Sequence, residues 1–335
     1  MNNFFKDKSV LITGGTGSFG QMFTKIMLDN YDLKKIVIYS RDEMKQWNMR
    51  NKFNDDRIQF CIGDVRDKDR LTYAMADIDY AVHAAATKIV PTAEYNPFEC
   101  VQTNINGAMN LIQAAISNNV SKVVALSTDK ASNPINLYGA TKLASDKIFI
   151  AGNNLNYDNR TTFSIVRYGN VMGSRGSVIP YFMDLIRQNK SITITDERMT
   201  RFMITLEQGV ELVLNAFLDM VGGEIYVKKI PSMNIVDIAK AISKNANIEY
   251  IGIRPGEKIH EQMIGSEDSE YTYEYNNYYK ILPMINDWYK DKKRIKEGKK
   301  VKKDFIYSSN LNSEWMSSEF LSEWITLNME SFIKI

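Results

Sequence analysis

The sequence predicts an α/β protein with a doubly wound parallel sheet and a smaller lobe interleaved toward the C-terminus. Short apolar runs recur along the first 170 residues, helical patterns lie between them, and a glycine-rich turn follows the first run. Strands that alternate with helices form βαβ units, and their right-handed crossovers build a parallel sheet. We therefore expect the first half of the chain to be a nucleotide-binding domain.

Six apolar runs are predicted to be strands of this sheet. The first, at residues 9–13, is uncharged and stops at glycines, which is typical of a buried parallel strand. The runs that follow lie at residues 35–40, 57–63, 80–84, 122–127 and 162–168. Helices are expected between them, notably at residues 18–30, where Phe19, Phe23 and Met27 share one face, and at residues 103–117.

The regular alternation weakens after Asn170. Helices are predicted there at residues 180–188, 206–219 and 236–243. We assign residues 1–170 and 202–228 to the nucleotide-binding domain, and residues 171–201 and 229–335 to a substrate-binding lobe. The basic run at residues 290–303 is predicted to be a solvated, mobile loop, because it lacks the interleaved aromatic residues of a nucleic-acid surface.

The composition restricts the classes of function. For 335 residues, a formal net charge of +2 is too small to indicate binding to nucleic acid or to a membrane surface. No apolar run approaches the ~20 residues of a membrane span, and the N-terminus lacks the apolar region of a secretion signal. Cys61 and Cys100 have neither disulfide nor metal-ligand spacing, so we expect free thiols, no metal site and a soluble, cytoplasmic protein.

A dinucleotide-binding turn is predicted after the first strand. Its glycines form G-x-x-G-x-x-G between a strand and a helix, which permits a tight turn and a close backbone approach to a pyrophosphate. The pyrophosphate then lies at the N-terminus of the helix. This context favours a Rossmann-type site, with expected cofactor contacts at Gly14, Thr16, Gly17, Ser18, Phe19 and Gly20.

The end of the second strand bears on the choice between NAD and NADP. The residues there are Ser40, Arg41 and Asp42, followed by Lys45. A hydroxyl group and two cations suit a 2′-phosphate, so we predict NADP. Asp42 leaves two alternatives open, a hydrogen bond to an NAD ribose and a helix cap. Further expected cofactor contacts after the third and fourth strands are Asp64, Val65, Ala84, Ala85 and Ala86.

Two pairs of reactive side chains follow the fifth strand. Tyr138 and Lys142 share one helical face and combine a proton-exchanging phenol with a cation that lowers its pKa. Asp129 and Lys130 lie at the carboxyl end of the strand, where open α/β sheets bind ligands. A redox step needs only the tyrosine and its lysine, so the additional acid and amine indicate an elimination. To act as a base, Lys130 needs a pKa well below ~10.4.

Ordered motifs carry a resemblance that runs from about Val10 to Trp315. They include ITGGTGSFG, GDVRDKDRL, LSTDKASNPINLYGATKLASDK, RYGNVMGSRGSVIP and RPGEKIHE. The chain resembles the extended short-chain dehydrogenase/reductases, specifically the inverting UDP-N-acetylglucosamine 4,6-dehydratases that begin pseudaminic acid biosynthesis. Most 4,6-dehydratases of that superfamily have Asp–Glu where this chain has Asp129–Lys130, and the Asp–Lys pair resembles the inverting branch.

The resemblance implies a mechanism for UDP-N-acetylglucosamine. Tyr138, assisted by Lys142, removes the proton of the sugar 4-hydroxyl while hydride passes from C4 to NADP+. Lys130 then removes the C5 proton, and Asp129 protonates the departing 6-hydroxyl. Hydride returns to C6 and a proton returns to the opposite face of C5, which gives UDP-2-acetamido-2,6-dideoxy-β-L-arabino-hex-4-ulose.

The resemblance also implies contacts to the substrate. Lys88 is expected to reach both cofactor and sugar, and Arg201 and Arg254 are expected to bind the diphosphate through their guanidinium groups. The remaining expected substrate contacts are Thr128, Lys130, Asn170, Val171, Ser177, Val178, Ile179, Pro180, Tyr181, Tyr307, Ser308, Ser309 and Asn310. The family also implies a homo-oligomer. Ile89 and Met203 depart from the family pattern, which affects substrate preference rather than the catalytic groups.

Alternative functions remain open at this point. A UDP-sugar 4-epimerase, or a 4,6-dehydratase of other stereochemistry, would share the glycine turn and Tyr138. An epimerase needs no elimination pair, so Asp129 and Lys130 argue against it. A non-catalytic NADP-sensing protein would need the turn but not Tyr138 and Lys142 together.

Overall fold

A large mixed sheet is the main element of the fold. The computed structural model describes residues 3–155 and 160–333. Its strands are β1 (Ser9–Thr13), β2 (Lys35–Ser40), β3 (Ile58–Ile62), β4 (Tyr80–His83), β5 (Lys122–Thr128), β6 (Thr162–Tyr168), β7 (Asn170–Val171), β8 (Ile192–Ile194), β9 (Thr200–Ile204), β10 (Ile225–Lys228), β11 (Ser232–Asn234), β12 (Ile248–Tyr250), β13 (Gln262–Ile264), β14 (Thr272–Glu274), β15 (Tyr278–Ile281), β16 (Lys299–Lys300) and β17 (Tyr307–Ser308).

Helices connect and cover these strands. They are α1 (Ser18–Asn30), α2 (Glu43–Phe53), α3 (Lys68–Ala74), α4 (Val90–Tyr95), α5 (Pro97–Val101), α6 (Gly107–Ser117), α7 (Leu137–Gly152), α8 (Val178–Arg187), α9 (Leu206–Asp219), α10 (Ile235–Ile242), α11 (Lys292–Ile295) and α12 (Ser318–Ile333). A π-helical turn at Gln102–Asn106 joins α5 to α6, so the helix predicted at residues 103–117 begins earlier, at Pro97. Every helix in the described part of the chain is too short or too polar to cross a bilayer.

The order of the strands determines where a ligand can bind. Within the described residues, the main sheet follows the order β16-β14-β15-β10-β6-β5-β4-β1-β2-β3. β1 pairs in parallel with both β2 and β4, so the winding of the chain reverses beside β1. Open α/β sheets bind ligands at the carboxyl ends of the strands next to such a reversal. The predicted doubly wound parallel sheet is confirmed.

An apolar core fixes the position of these strands. All five residues of β1 are buried, and Phe23 and Met27 of α1 belong to the same core. α9 packs against α1, β5 and β6. It begins at a capping box between Thr205 and Gln208, which satisfies two backbone N–H groups of the first turn. The helix predicted at residues 206–219 is therefore confirmed, with the same limits.

A second, smaller apolar core forms the interleaved lobe. It includes Ile179 and Phe182 of α8, Ile238 of α10 and Leu321 of α12. The segment from β9 to α9 returns to the main core, where Phe202 and Ile204 are buried. The chain thus passes between the two cores more than once.

The C-terminal part of the chain departs from the predicted domain limits. β14, β15 and β16 fall within the predicted substrate lobe, but they extend the main sheet through antiparallel pairs. The prediction of a loop at residues 290–303 is wrong, since the segment contains α11 and β16, and Lys299 and Lys300 pair with β14. Lysines suit an edge strand because their charge opposes pairing with another chain.

Candidate active site

A cleft of about 960 Å³ opens at the carboxyl ends of β1, β4, β5 and β6. Phe182, Ile194 and Ile235 of the smaller core form part of its wall, so the cleft lies between the two cores. Its volume is at the upper end of the range for ligand pockets. The cleft brings together the glycine turn and both pairs of reactive side chains.

The glycine turn has a backbone that only glycine permits. Gly14 has φ +66°, and a Cβ there would lie 2.9 Å from the backbone nitrogen of Ala85. A Cβ on Gly20 would lie 2.2 Å from the carbonyl oxygen of Gly15. Left-handed backbone and contacts this short exclude a side chain, so the turn leaves its backbone accessible to a ligand.

Every predicted cofactor residue lines the cleft. They are Gly14, Thr16, Gly17, Ser18, Phe19, Gly20, Ser40, Arg41, Asp42, Lys45, Asp64, Val65, Ala84, Ala85, Ala86, Lys88, Tyr138 and Lys142. Asp42 adopts the cap role, because its carboxylate accepts a hydrogen bond from the Lys45 backbone N–H at 2.9 Å. Its second oxygen lies 2.9 Å from the Lys45 ammonium, and the backbone and side chain of Lys45 lower the Asp42 pKa.

Tyr138 and Lys142 lie on the first turns of α7, which Asn136 caps through a 2.7 Å bond from the Gly139 N–H. Burial raises the pKa of Tyr138 to about 12, against the opposing effects of Lys130 and a hydrogen bond with Thr128. The Lys142 ammonium donates to the Leu126 carbonyl at 2.7 Å, and burial lowers its pKa. The cation that most lowers the Tyr138 pKa is therefore Lys130, whereas the sequence had indicated Lys142.

Lys130 is held between two carboxylates. It lies in a 3₁₀ turn that follows β5, and its Nζ is 3.1 Å from Asp129 Oδ1 and 3.1 Å from Glu261 Oε1. Asp129 and Glu261 are both buried. Glu261 was not predicted to be functional, although it ends the RPGEKIHE motif. It precedes the short strand β13 outside the main sheet, so no rule about strand ends pointed to it.

The charges of this cluster do not match the expectation for a neutral amine. Burial lowers the pKa of Lys130, but the charges of Asp129 and Glu261 outweigh burial, and the pKa lies above its ordinary value. The lowered pKa that Lys130 needs to act as a base is therefore not found in this structure, because a second carboxylate faces the amine. Burial raises the pKa of Asp129, whereas Lys130 and Arg201 outweigh burial and lower the pKa of Glu261.

Some predicted substrate residues lie in the cleft and others do not. Those that line it are Lys88, Thr128, Lys130, Asn170, Val171, Ser177, Val178, Tyr181, Arg201 and Arg254. Those that do not line it are Ile179, Pro180, Tyr307, Ser308, Ser309 and Asn310. The Tyr307 hydroxyl bonds both backbone groups of Ile230, and Ser309 bonds Thr200 and the Glu261 N–H, so these side chains hold the site together from outside it.

The two predicted diphosphate arginines differ. Arg201 is buried, and its terminal nitrogens donate to the carbonyls of Thr200, Ile259 and Lys258, so its donors are occupied by the protein. Arg254 is more than half exposed at the cleft and pairs with Glu257. The Arg254 side chain is accessible to a ligand in this conformation, whereas that of Arg201 is committed to the backbone.

Comparisons with known proteins identify the family of this chain. The family model described as polysaccharide biosynthesis protein matches residues 10–283. The UDP-N-acetylglucosamine 4,6-dehydratase (inverting) of Campylobacter jejuni subsp. jejuni serotype O:23/36 (strain 81-176) is 55% identical over 96% of this chain and 98% of its own length. The UDP-glucose 4-epimerase of Rickettsia bellii (strain OSU 85-389) is 49% identical over 84% of each chain.

Among solved structures, the X-ray structure of Pen from Bacillus thuringiensis superposes with a TM-score of 0.89. It is 40% identical, and the alignment covers 98% of this chain and 99% of that one. Similarity on this scale extends over the sheet, the smaller lobe and the cleft together. The chain therefore belongs to the polysaccharide biosynthesis protein family, in the extended short-chain dehydrogenase/reductase branch that includes the inverting UDP-N-acetylglucosamine 4,6-dehydratases.

Proposed function

We propose that this protein is an inverting UDP-N-acetylglucosamine 4,6-dehydratase that uses NADP and catalyses the first step of pseudaminic acid biosynthesis. The observation that carries the proposal is the cluster of Asp129, Lys130 and Tyr138 where β5 meets α7. An acid, an amine and a phenol are the groups that sugar oxidation and loss of water require. The 55% identity to an inverting dehydratase supports the same reaction.

The residues of the cleft fit a nicotinamide dinucleotide. Gly14 and Gly20 leave no room for a Cβ, so the backbone can approach a pyrophosphate closely. Asn170 Oδ1 and Ser177 Oγ are buried and have no hydrogen-bond partner among the described residues, which suits side chains that bind a ligand. When bound, the nicotinamide would accept hydride from C4 of the sugar and return it to C6.

The second strand supports NADP rather than NAD. The Asp42 carboxylate caps α2 and pairs with Lys45, so part of its capacity to accept hydrogen bonds is already used. The Arg41 side chain is 63% exposed, and its guanidinium group lies 3.5 Å from the Asp64 carboxylate. We assign the 2′-phosphate to Arg41, since an accessible guanidinium group binds phosphate oxygens in a bidentate manner.

We propose that Tyr138 removes the proton of the 4-hydroxyl group. Burial disfavours its phenolate, while the charge of Lys130 and the hydrogen bond with Thr128 favour it. Lys142 contributes by orientation, because its ammonium is anchored to the carbonyl of Leu126. The resulting 4-ketone acidifies the proton on C5, which prepares the elimination.

Asp129 and Lys130 perform the elimination after exchanging one proton. Transfer along their 3.1 Å hydrogen bond converts an ammonium and a carboxylate into a neutral amine and a carboxylic acid. The amine then takes the C5 proton, and the acid protonates the departing 6-hydroxyl, which leaves as water. Lys130 ends as an ammonium and Asp129 as a carboxylate, so the pair returns to its starting charges without an external acid or base.

The test is incubation of the purified protein with UDP-N-acetylglucosamine in deuterated water, followed by NMR of the product. We expect loss of the 6-hydroxyl, a 4-keto group and deuterium at C5 with inverted configuration. A 6-deoxy product with retained configuration at C5 would contradict the inverting assignment. Absence of any product, with NADP bound, would instead favour the sensing role.

A UDP-sugar 4-epimerase is the second candidate, because a relative with that name is 49% identical over 84% of this chain. An epimerase would use Tyr138 but would leave the C5 proton and the 6-hydroxyl unchanged. The same NMR experiment separates the two functions, since an epimerised sugar keeps its 6-hydroxyl and gains no deuterium at C5. Asp129 and Lys130 are the reason why we favour dehydration.

A further inference from the structure

Glu261 lies close to the Lys130 amine, which removes the C5 proton in the proposed mechanism. Its Oε1 is 3.1 Å from Lys130 Nζ, as close as Asp129, and its carboxylate lines the cleft. Its second oxygen, Oε2, is buried and has no hydrogen-bond partner among the described residues. A buried, unpartnered oxygen costs about 1–3 kcal/mol, so this half of the carboxylate does not contribute to stability.

The backbone around Glu261 is held rigidly. The Glu261 N–H donates to Ser309 Oγ at 2.9 Å, and the Ser309 N–H donates to the Glu261 carbonyl at 2.8 Å. This contact lies at one end of the β13–β17 pair. Ser309 Oγ is in turn 2.6 Å from Thr200 Oγ1, which ties the contact to β9. The carboxylate therefore reaches Lys130 from a fixed support.

The two carboxylates have different charged surroundings. The charged or titratable groups that face the cluster are Asp129, Lys130, Tyr138, Arg201, Lys258 and Glu261. Arg201 Nε lies 3.9 Å from Glu261 Oε1, so Glu261 has a second cation beside Lys130. Asp129 has the Thr128 hydroxyl as its further partner at 2.8 Å. Glu261 is thus stabilised as an anion, while Asp129 is the carboxyl group that more readily takes a proton.

We propose that Glu261 is a positioning residue for the dehydration. It holds the Lys130 amine in place, and because it stays an anion throughout the reaction, the proton that Lys130 releases goes to Asp129. This inference rests on the proposed function. The proton moves from Lys130 to Asp129 as described above, and Glu261 neither gains nor loses one. Without its charge, the Asp129–Lys130 pair would bind its shared proton less tightly, because a nearby anion favours the protonated forms of both groups.

The test compares the wild-type protein with Glu261→Gln, which keeps the shape and removes the charge. We expect elimination to slow by about 10²-fold, while C4 oxidation, followed by nicotinamide absorbance in a single turnover, persists. The alkaline limb of the pH–rate profile should move to lower pH by at least about one unit, since loss of a neighbouring anion lowers the pKa of the pair. An unchanged limb and an unchanged elimination rate would overturn the proposal.

A matched control and a second variant separate this role from folding. Glu224→Gln changes another buried glutamate, 3.8 Å from Arg294 and outside the cleft, and should leave the pH limb unchanged. Glu261→Asp retains the charge and should keep the limb at the wild-type pH although turnover slows. A limb that moves equally in Glu261→Asp and Glu261→Gln would contradict an electrostatic role.

A direct measurement distinguishes failure of this inference from failure of the proposed function. The pH dependence of Lys130 acylation by a small reagent, read by peptide mass spectrometry, needs no turnover. Acylation of Lys130 should begin at lower pH in Glu261→Gln than in the wild type. If the wild type does not dehydrate UDP-N-acetylglucosamine, the proposed function fails, while an unshifted acylation profile refutes the role of Glu261 on its own.

Discussion

The two ends of the cleft are built in different ways. At the nucleotide end, the glycine turn consists mostly of backbone and glycine from one short segment, residues 14–20, which runs from the end of β1 into α1. The reactive end consists of charged and polar side chains from separate segments, with Lys130, Tyr138 and Glu261 arriving from different elements. The comparison teaches that backbone shape determines binding at the glycine turn, whereas mutual electrostatics determines the chemistry at the reactive end.

The two ends also differ in what they cost the protein. At the nucleotide end, the close contact between Gly14 and the backbone of Ala85 needs only the absence of a side chain and buries no charge. At the reactive end, Asp129 Oδ2 and Glu261 Oε2 are buried without a partner among the described residues. Buried polar atoms without a partner destabilise the fold, which favours a chemical role for these two carboxylates. Substitutions at the first end should therefore disturb binding and packing, and those at the second end should disturb turnover.

The largest effect is expected from Lys130→Met at the reactive end. Removing the amine eliminates the base for C5, so product formation should fall by about 10³-fold or more, while NADP affinity stays near the wild-type value. Product is measured by NMR and affinity by calorimetry. Lys228→Met is the matched control, because Lys228 is a buried lysine that likewise pairs with a carboxylate, Glu211 at 2.8 Å, and lies outside the cleft.

Loss of turnover in Lys130→Met with unchanged NADP affinity would show that the reactive end can be disabled without affecting the nucleotide end. Turnover within tenfold of the wild type would remove Lys130 from the elimination. An equal loss in Lys228→Met would show that the effect comes from folding and not from the missing base.

Gly20→Ala should produce the corresponding effect at the nucleotide end. The new Cβ would lie 2.2 Å from the Gly15 carbonyl oxygen, so the turn must shift, at a cost of about 1–3 kcal/mol in stability. NADP affinity should fall by about 10-fold or more, because the backbone no longer fits a pyrophosphate. Calorimetric binding and denaturant unfolding measure the two effects. Unchanged affinity would show that the turn does not bind the cofactor.

Arg41→Ala should have a smaller effect that is limited to cofactor choice. Loss of one accessible guanidinium group should reduce NADP affinity by about tenfold, which corresponds to ~1.4 kcal/mol, and leave NAD affinity unchanged. Arg187→Ala is the matched control, since Arg187 forms a surface pair with Asp184 and lies outside the cleft. Equal losses for NAD and NADP would contradict a 2′-phosphate contact.

The smallest effect is expected from Gly209→Ala in α9, and its sign is opposite to that of Gly20→Ala. A Cβ at Gly209 would contact the Phe19 ring at 3.7 Å, an ordinary van der Waals distance. Alanine should therefore stabilise the helix by about 0.5–1 kcal/mol without altering NADP affinity. Denaturant unfolding gives the result. A destabilised variant would show that the packing of α9 against α1 has no room for a methyl group.

Much of the fold could be predicted because its signals are local. The limits of β1, β2, β6, α1 and α9 agree with the predicted ones, since apolar runs and helical periodicity arise within each segment. The prediction at residues 290–303 was wrong for the opposite reason. Lys299 and Lys300 carry no strand pattern of their own, and they form β16 only because β14 offers an edge for pairing.

The candidate site divides in the same way. The sequence by itself determined the glycine turn, the Tyr138–Lys142 spacing and the Asp129–Lys130 pair, because each depends on residues close together in the chain. Only the tertiary structure decided that Glu261 faces Lys130, and that Tyr307 and Ser309 support the site from outside. The protonation of a buried amine depends on every charge around it, and the fold alone brings a distant carboxylate within 3.1 Å.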